Sequence, residues 1–200
     1  MMRAIVLAAG RSSRMKTQKL LLPFGGGTVI GYIVDQLLGS ALDEVVVVVG
    51  HDGERVAEAL ASRAVRVVTN PDYASGMLST VRCGLRVLAP CDGVLVALGD
   101  QPAITSELVD ELMGAFGRAG KGILVPLHDG MRGHPLLFAA RYRDELLTRY
   151  DDVGLRGLLT AHPEDVLELS VPTDAVLSDM DYPEDYQQEL ARLRKNTTTP

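Results

Sequence analysis

Three charged segments carry residue types able to do chemistry, two where an apolar run gives way to a loop and one just before the last helical pattern. The first, Ala8-Ala9-Gly10-Arg11-Ser12-Ser13-Arg14-Met15-Lys16-Thr17-Gln18-Lys19, combines small residues with four cations. Small side chains leave backbone N–H groups open to anionic oxygens, and Arg and Lys add positive charge, so this is a candidate polyphosphate cradle. The second, Leu98-Gly99-Asp100-Gln101-Pro102, sets a carboxylate at the end of a wholly apolar run. A carboxylate beside a polyphosphate suits Mg²⁺, which takes one or two carboxylates and completes its shell with phosphate and water oxygens. The third, Asp179-Met180-Asp181-Tyr182-Pro183-Glu184-Asp185, offers a further carboxylate for the same ion. Each segment also has a plainer reading: a solvated loop, an aspartate capping the turn before Pro102, and acids capping a helix.

Two softer signals follow. Asn70-Pro71-Asp72-Tyr73-Ala74-Ser75-Gly76-Met77 leads into a helical pattern from Leu78 that includes Ser79. The N-terminus of that helix can hold an anion or present N–H groups to a base or ribose, or the segment is simply a capped turn. Arg132-Gly133-His134-Pro135 puts an imidazole at a proline-stiffened turn, and Arg132 and His134 are the candidates for an acceptor substrate. His51, His128 and His162 have no partners that define a Ser/His/Asp or Cys/His arrangement. Gly10 stands alone, so the Gly-x-Gly-x-x-Gly turn is absent, and no Gly-x₄-Gly-Lys-Ser/Thr run occurs. A dinucleotide oxidoreductase and a Walker-type NTPase both lose support.

The elements that must position these residues follow an α/β rhythm. Apolar runs at Arg3 to Leu7, Glu44 to Val49, Val65 to Thr69, Gly93 to Leu98, Gly122 to Pro126 and Val166 to Val171 read as strands. Helical patterns lie near Val29 to Leu38, Gly53 to Ala61, Leu78 to Leu88, Ser106 to Ala119 and Arg141 to Tyr150, with a last helix from Pro183. Alternation of this kind predicts a mostly parallel central sheet covered by helices. The run Val45 to Val49 has no polar alternation and reads as a strand buried on both faces. In such a sheet ligands bind at the carboxyl ends of strands where the order reverses; a 3-2-1-4 order sets Asp100 opposite Gly10 and Lys19. The stretch Leu127 to Gly133 with Leu136 to Phe138 breaks the rhythm and fits an inserted hairpin over the site.

Length and composition bound the rest. At 200 residues, 46% hydrophobic and 23% charged, the chain reads as one domain over 1–193, with a disordered tail at 194–200. A net charge of −6 has the wrong sign for a nucleic-acid surface, and 3 Phe, 6 Tyr and no Trp argue against stacking platforms. Two cysteines, Cys83 and Cys91, are too few for a disulfide framework and point to a reducing cytoplasm. No run approaches the ~20 apolar residues of a membrane span.

The segment Leu7-Ala8-Ala9-Gly10-x-Ser12-x-Arg14-Met15-x₃-Lys19-Leu20-Leu21-Leu22-Pro23 resembles the molybdenum cofactor nucleotidyltransferases, above all their cytidylyltransferase branch. The likeness continues in the family's order through Asn70-Pro71-Asp72-Tyr73-Ala74-x-Gly76-Met77, Gly99-Asp100-Gln101-Pro102, Gly133-His134-Pro135 and Asp179-x-Asp181-x-Pro183-Glu184-Asp185. The resemblance implies a three-layer Rossmann-like nucleotidyltransferase fold that uses CTP and Mg²⁺, adds CMP to molybdopterin and releases pyrophosphate. It implies that Leu7, Ala8, Ala9, Gly10, Asn70, Gly76, Met77, Ser79 and Gly99 bind the nucleotide. It further implies that Arg14 and Lys19 act catalytically on the phosphates, that Asp100 acts catalytically and holds the metal, and that Asp181 is the second metal position, with Asp179 as the alternative to it. A molybdoenzyme or its chaperone is the implied recipient. GTP in place of CTP, a sugar phosphate as acceptor, and a non-catalytic cofactor carrier are the competing readings. Two departures stand out: Lys16 replaces a common glycine, and Tyr182 replaces a helix-capping threonine, which sets capping against metal binding at Asp181.

Overall fold

The apolar runs pair edge to edge because their backbone groups, once buried, have only one another to bond. A computed structural model describes residues 1–198, with side chains described through Lys195. In chain order the elements are β1 (Met2–Ala8), β2 (Pro23–Phe24), β3 (Gly27–Thr28), α1 (Val29–Leu38), β4 (Glu44–Val49), α2 (Gly53–Ala59), β5 (Arg66–Thr69), α3 (Met77–Val87) and β6 (Gly93–Leu98). There follow α4 (Ser106–Ala119), β7 (Ile123–His128), β8 (Met131–Arg132), β9 (Leu136–Ala139), α5 (Arg143–Thr148), α6 (Arg156–Ala161), β10 (Val166–Ser170) and α7 (Pro183–Thr198). Thr28 and Thr105 cap α1 and α4, accepting from Gly31 N at 3.2 Å and Leu108 N at 3.3 Å.

The main sheet runs β10-β7-β9-β6-β1-β4-β5, with β8 paired to β7. β1 is parallel to both β4 and β6, β4 to β5, and β10 to β7. The order β5-β4-β1-β6 is the 3-2-1-4 arrangement, and the register sets Leu7 beside Leu98. Along β4, Val45, Val47 and Val49 enter one core with α1, α2 and α4, while Val46 and Val48 enter a second with α3, α5 and α6. Two cores flanking one sheet make three layers, and each valine buried this way contributes roughly 1.5–3 kcal/mol.

The expected hairpin is present but does a different job. β7 and β8 turn back through Asp129 and Gly130, both at positive φ, and β9 then enters the sheet antiparallel between β6 and β7. The helix expected over Arg141 to Tyr150 is shorter, a 3-10 turn Ala140–Tyr142 followed by α5, and α6 was not anticipated. Tyr150 at φ 77° and Gly154 at φ 66° divide the two helices, which are too short for an apolar period to declare itself. The last helix continues to Thr198, past Leu193 where the tail was expected to begin; residues 199 and 200 lie outside the described residues. No helix among the described residues is long and apolar enough to cross a membrane.

Asp165 fastens β10 to β7. Its carboxylate accepts from Gly122 N at 2.9 Å, from Arg141 at 2.6 Å and from the Tyr142 hydroxyl. Burial alone would push the carboxyl up, but these donors outweigh it and hold it at about 2. A depressed carboxyl adds stability that is complete above its unfolded value of 3.8 and disappears as the pH falls through the folded one. Asp165→Asn should therefore cost about 1 to 2 kcal/mol at pH 7 and almost nothing near pH 2. Urea unfolding across that range checks this, and a gap that stays constant with pH refutes it.

Candidate active site

β1 and β6 end side by side, so the loops leaving them emerge at one point. The turn after β6 stays there because Gly99 N donates to Leu7 O at 2.9 Å, and a Cβ on Gly99 would lie 2.9 Å from that same oxygen. Asp100 is thereby set against the first loop. Lys19, at 9% exposure nearly buried, places its ammonium on Asp100 Oδ2 and, at 3.0 Å, on Asp181 Oδ1. Arg14 pairs with the other oxygen of Asp181. Ser12 holds the loop closed, accepting from Lys19 N at 3.2 Å and donating to Gln18 at 2.8 Å.

Asp181 arrives from the far end of the chain and is tied down on both sides. Met180 N donates to Asp100 O at 3.0 Å, and Gln101 donates to Val176 O at 3.2 Å and to Asp179 at 2.6 Å. His134 N adds a bond to Val176 O at 2.9 Å. Together these segments wall a cleft of ≈ 490 Å³.

Burial drives the Lys19 ammonium down, but Asp100 and Asp181 more than offset this and raise it overall. The Lys19 hydrogen bond, with Arg14 beside it, lowers the Asp181 carboxyl. Asp179 moves the other way, pushed up by desolvation and then by the Asp100 charge. His134 is pushed down by burial, with Arg156 adding to the effect and Asp100 opposing it, so its imidazole favours the neutral form. Asp100, Asp179 and Asp181 thus share the cleft wall with Arg11, Arg14 and Lys19, cations suited to phosphate oxygens and carboxylate oxygens suited to a hard divalent ion. Among the described residues no three His, Cys, Asp or Glu side chains form a closed metal cage. Asp100 and Asp181, converging on one cation, fit the sparse carboxylate set that Mg²⁺ completes with phosphate and water.

Of the residues singled out in the sequence, Leu7, Ala8, Ala9 and Gly10 line the cleft together with Arg14 and Lys19. Gly76, Met77, Asp100 and Asp181 line it as well. Asn70, Ser79 and Gly99 stand behind it. Asn70 is 3% exposed and donates to Ser79 at 2.9 Å and Thr80 at 3.2 Å, while Ser79 donates to Asp72 O and Gly76 O. They shape the 70–77 turn rather than face the cleft. Arg132 is not brought to the site: it pairs with Glu168 on β10 at 2.5 Å.

Both departures from the family pattern have a physical reason. Lys16 sits at φ 54° and ψ 8°, the left-handed region where glycine is the cheapest residue. Asp185 reaches back from the first turn of the helix, accepting from Asp181 N at 2.9 Å and Tyr182 N at 2.7 Å, and the Asp181 carboxylate goes to Lys19 and Arg14. Sequence reasoning gave no role to Tyr73 or Gln101, and left Asp179 as the alternative to Asp181 for the second metal position. Tyr73 lines the cleft beneath Arg11, whose Cζ is 5.6 Å from the ring centre. Its position three residues after Asn70 in a segment already singled out was the available signal.

Residues 4–166 match the model of the MobA-like NTP transferase domain. The chain is 26% identical over 183 residues to the molybdenum cofactor cytidylyltransferase of Escherichia coli K12, covering 91% of this chain and 92% of that one. It is 30% identical over 166 residues to the nicotine blue oxidoreductase of Paenarthrobacter nicotinovorans, covering 80% and 81%. A Mycobacterium tuberculosis H37Rv protein solved in complex with manganese superposes with a TM-score of 0.78 and 27% identity, over 95% of this chain and 98% of that one.

The Gly99 contact is open to a direct test. Gly99→Val forces a branched side chain against the Leu7 carbonyl and should cost about 1–3 kcal/mol of stability. Because Asp100 rides on the same turn, divalent-ion affinity should fall with it. A variant with an unchanged melting temperature and unchanged ion binding removes Gly99 as the element that sets Asp100.

Proposed function

The chain belongs to the MobA-like NTP transferase family, and from that premise we propose that it transfers CMP from CTP to the terminal phosphate of molybdopterin, forming molybdopterin cytosine dinucleotide. The observation that carries this reading is the pairing of Lys19 and Arg14 with Asp100 and Asp181 in the cleft wall. Likeness to a molybdenum cofactor cytidylyltransferase along nearly the whole chain supports the choice of substrates. The relative named as an oxidoreductase does not redirect it, since the chain lacks the glycine-rich dinucleotide turn and its cleft is built from opposed charges.

In the proposed reaction a terminal phosphate oxygen of the pterin attacks the α-phosphorus of CTP in line. A new P–O bond forms, the bond to the bridging oxygen of the β-phosphate breaks, and pyrophosphate leaves with that electron pair. A phosphate monoester has its second pKa near ~6, so the nucleophile is largely dianionic at neutral pH and needs no strong base. His134, the acceptor-side candidate, is not among the residues that line the cleft. Bringing two polyanions together is the main barrier, and Lys19 and Arg14 lower it by exchanging carboxylate partners for phosphate oxygens. Mg²⁺, held by Asp100 and Asp181, would supply further charge neutralisation and orientation. The free thiols of Cys83 and Cys91 suit a reducing cytoplasm as the setting, and delivery to a recipient molybdoenzyme or its chaperone would follow.

Pyrophosphate release with each of the four NTPs, with and without molybdopterin, tests the reading. The expected signal requires CTP, Mg²⁺ and the pterin together. Use of GTP or of a sugar phosphate instead assigns a different transferase, and an absence of Mg²⁺-dependent CTP binding leaves only a carrier. Asp100→Ala should lose about 10² to 10³ in kcat, the usual scale for removing one electrostatic contact at a reacting centre. Lys19→Ala should raise the KM for CTP and lower kcat together; a change in pterin binding alone would place Lys19 on the other substrate.

A further inference from the structure

Gln101 is 1% exposed and reaches neither Lys19 nor the body of the cleft, yet its amide is fully committed on one side. Its Nε2 donates to Val176 O at 3.2 Å and to Asp179 Oδ1 at 2.6 Å. A carbonyl and a carboxylate only accept, so turning the amide over would set oxygen against oxygen, and the partners fix its orientation. The consequence is that Oε1 is buried with no hydrogen-bond partner among the described residues. An apolar side chain of equal length would avoid that loss, so the amide is retained for what it holds.

What it holds is Asp179, which lines the same cleft as Asp100 and Asp181. The ion pairs of Lys19 and Arg14 go to the other two carboxylates, and Gln101 is the side-chain donor to Asp179 among the described residues. Asp179 has Oδ1 on the amide, and Oδ2 has no protein partner among the described residues. The three carboxylates do not close into a direct ligand cage. Mg²⁺ ordinarily keeps several waters, and each such water has protons to donate to a carboxylate one shell out.

We propose that Asp179 anchors the hydrated divalent ion through its water ligands, and that Gln101 is the positioning residue that aims it. This rests on the nucleotidyltransferase reading above. It assigns the two aspartates of the Asp179-Met180-Asp181 segment different tasks, Asp181 facing the ion directly and Asp179 through water.

The test uses the full chain with Mn²⁺ as probe and a non-hydrolysable CTP analogue, following water-proton relaxation at a temperature where circular dichroism finds every variant folded. Asp179→Asn keeps the oxygen that Gln101 needs and removes the charge, while Gln101→Met keeps the length and removes the donor. Each should weaken Mn²⁺ binding about 10-fold. Together they should weaken it little more than either alone, because both act through one contact. Mn²⁺ affinity within twofold of wild type in Asp179→Asn overturns the proposal, and additive losses remove the positioning role of Gln101. If Gln101→Met does not fold, Asp179→Asn decides alone. Asp100→Asn separates the two levels: unchanged Mn²⁺ binding there would sink the ion site itself, whereas a loss there with none in Asp179→Asn sinks this inference only.

Discussion

Lys19 sets its ammonium between two carboxylates that come from distant parts of the chain, Asp100 from the middle and Asp181 from just before the last helix. A lysine this deeply buried would be costly without partners, and a pair of aspartates this close would repel without a cation. Each is tolerable only because the other is there. That mutual dependence accounts for much of the surrounding construction: the β1/β6 adjacency, the close glycine turn at Gly99, and the bonds from Gln101, Met180 and His134 that tether the 176–181 segment.

The parts of this arrangement that depend on local chemistry could be read in the sequence. A valine run without polar alternation announces a strand buried on both faces, and an aspartate directly after such a strand announces a residue at its carboxyl end. Hence β4, β6 and the place of Asp100 were legible, as was the cation-rich loop. The parts that depend on long-range pairing were not. Leu136 to Phe138 is as apolar as any parallel strand, and nothing in those residues says that β9 runs antiparallel between β6 and β7. Arg132 was a candidate for the acceptor substrate beside a stiff turn, but its partner, Glu168, is 36 residues away on β10. Gln101 drew no reading of its own, because its partners lie 75 and 78 residues downstream.

The two departures from the family pattern show how a motif can survive a substitution. At position 16 the backbone still takes the left-handed turn that a glycine would take freely, so Lys16 bears a modest conformational cost while the loop keeps its path. At the last helix Asp185 reaches back to the backbone N–H groups of Asp181 and Tyr182, which fixes the entry of the chain without a threonine before Pro183. Tyr182 is then released to lie beneath Arg14, with the guanidinium carbon 5.6 Å from the ring centre. In both places the chain path is set by backbone geometry that more than one residue type can supply.

Mutual satisfaction of cations and carboxylates also constrains how the proposed substrates would enter. A triphosphate that drew Lys19 and Arg14 to itself alone would leave Asp100 and Asp181 facing each other without a counter-charge. A divalent ion that took the carboxylates alone would leave a nearly buried ammonium unpaired. Arrival of the ion and the triphosphate together replaces both sets of partners at once and strands neither. On the proposed reading, the same ion pairs that hold the cleft together therefore make ion and nucleotide bind cooperatively, with the coupling carried by Lys19 because it touches both carboxylates.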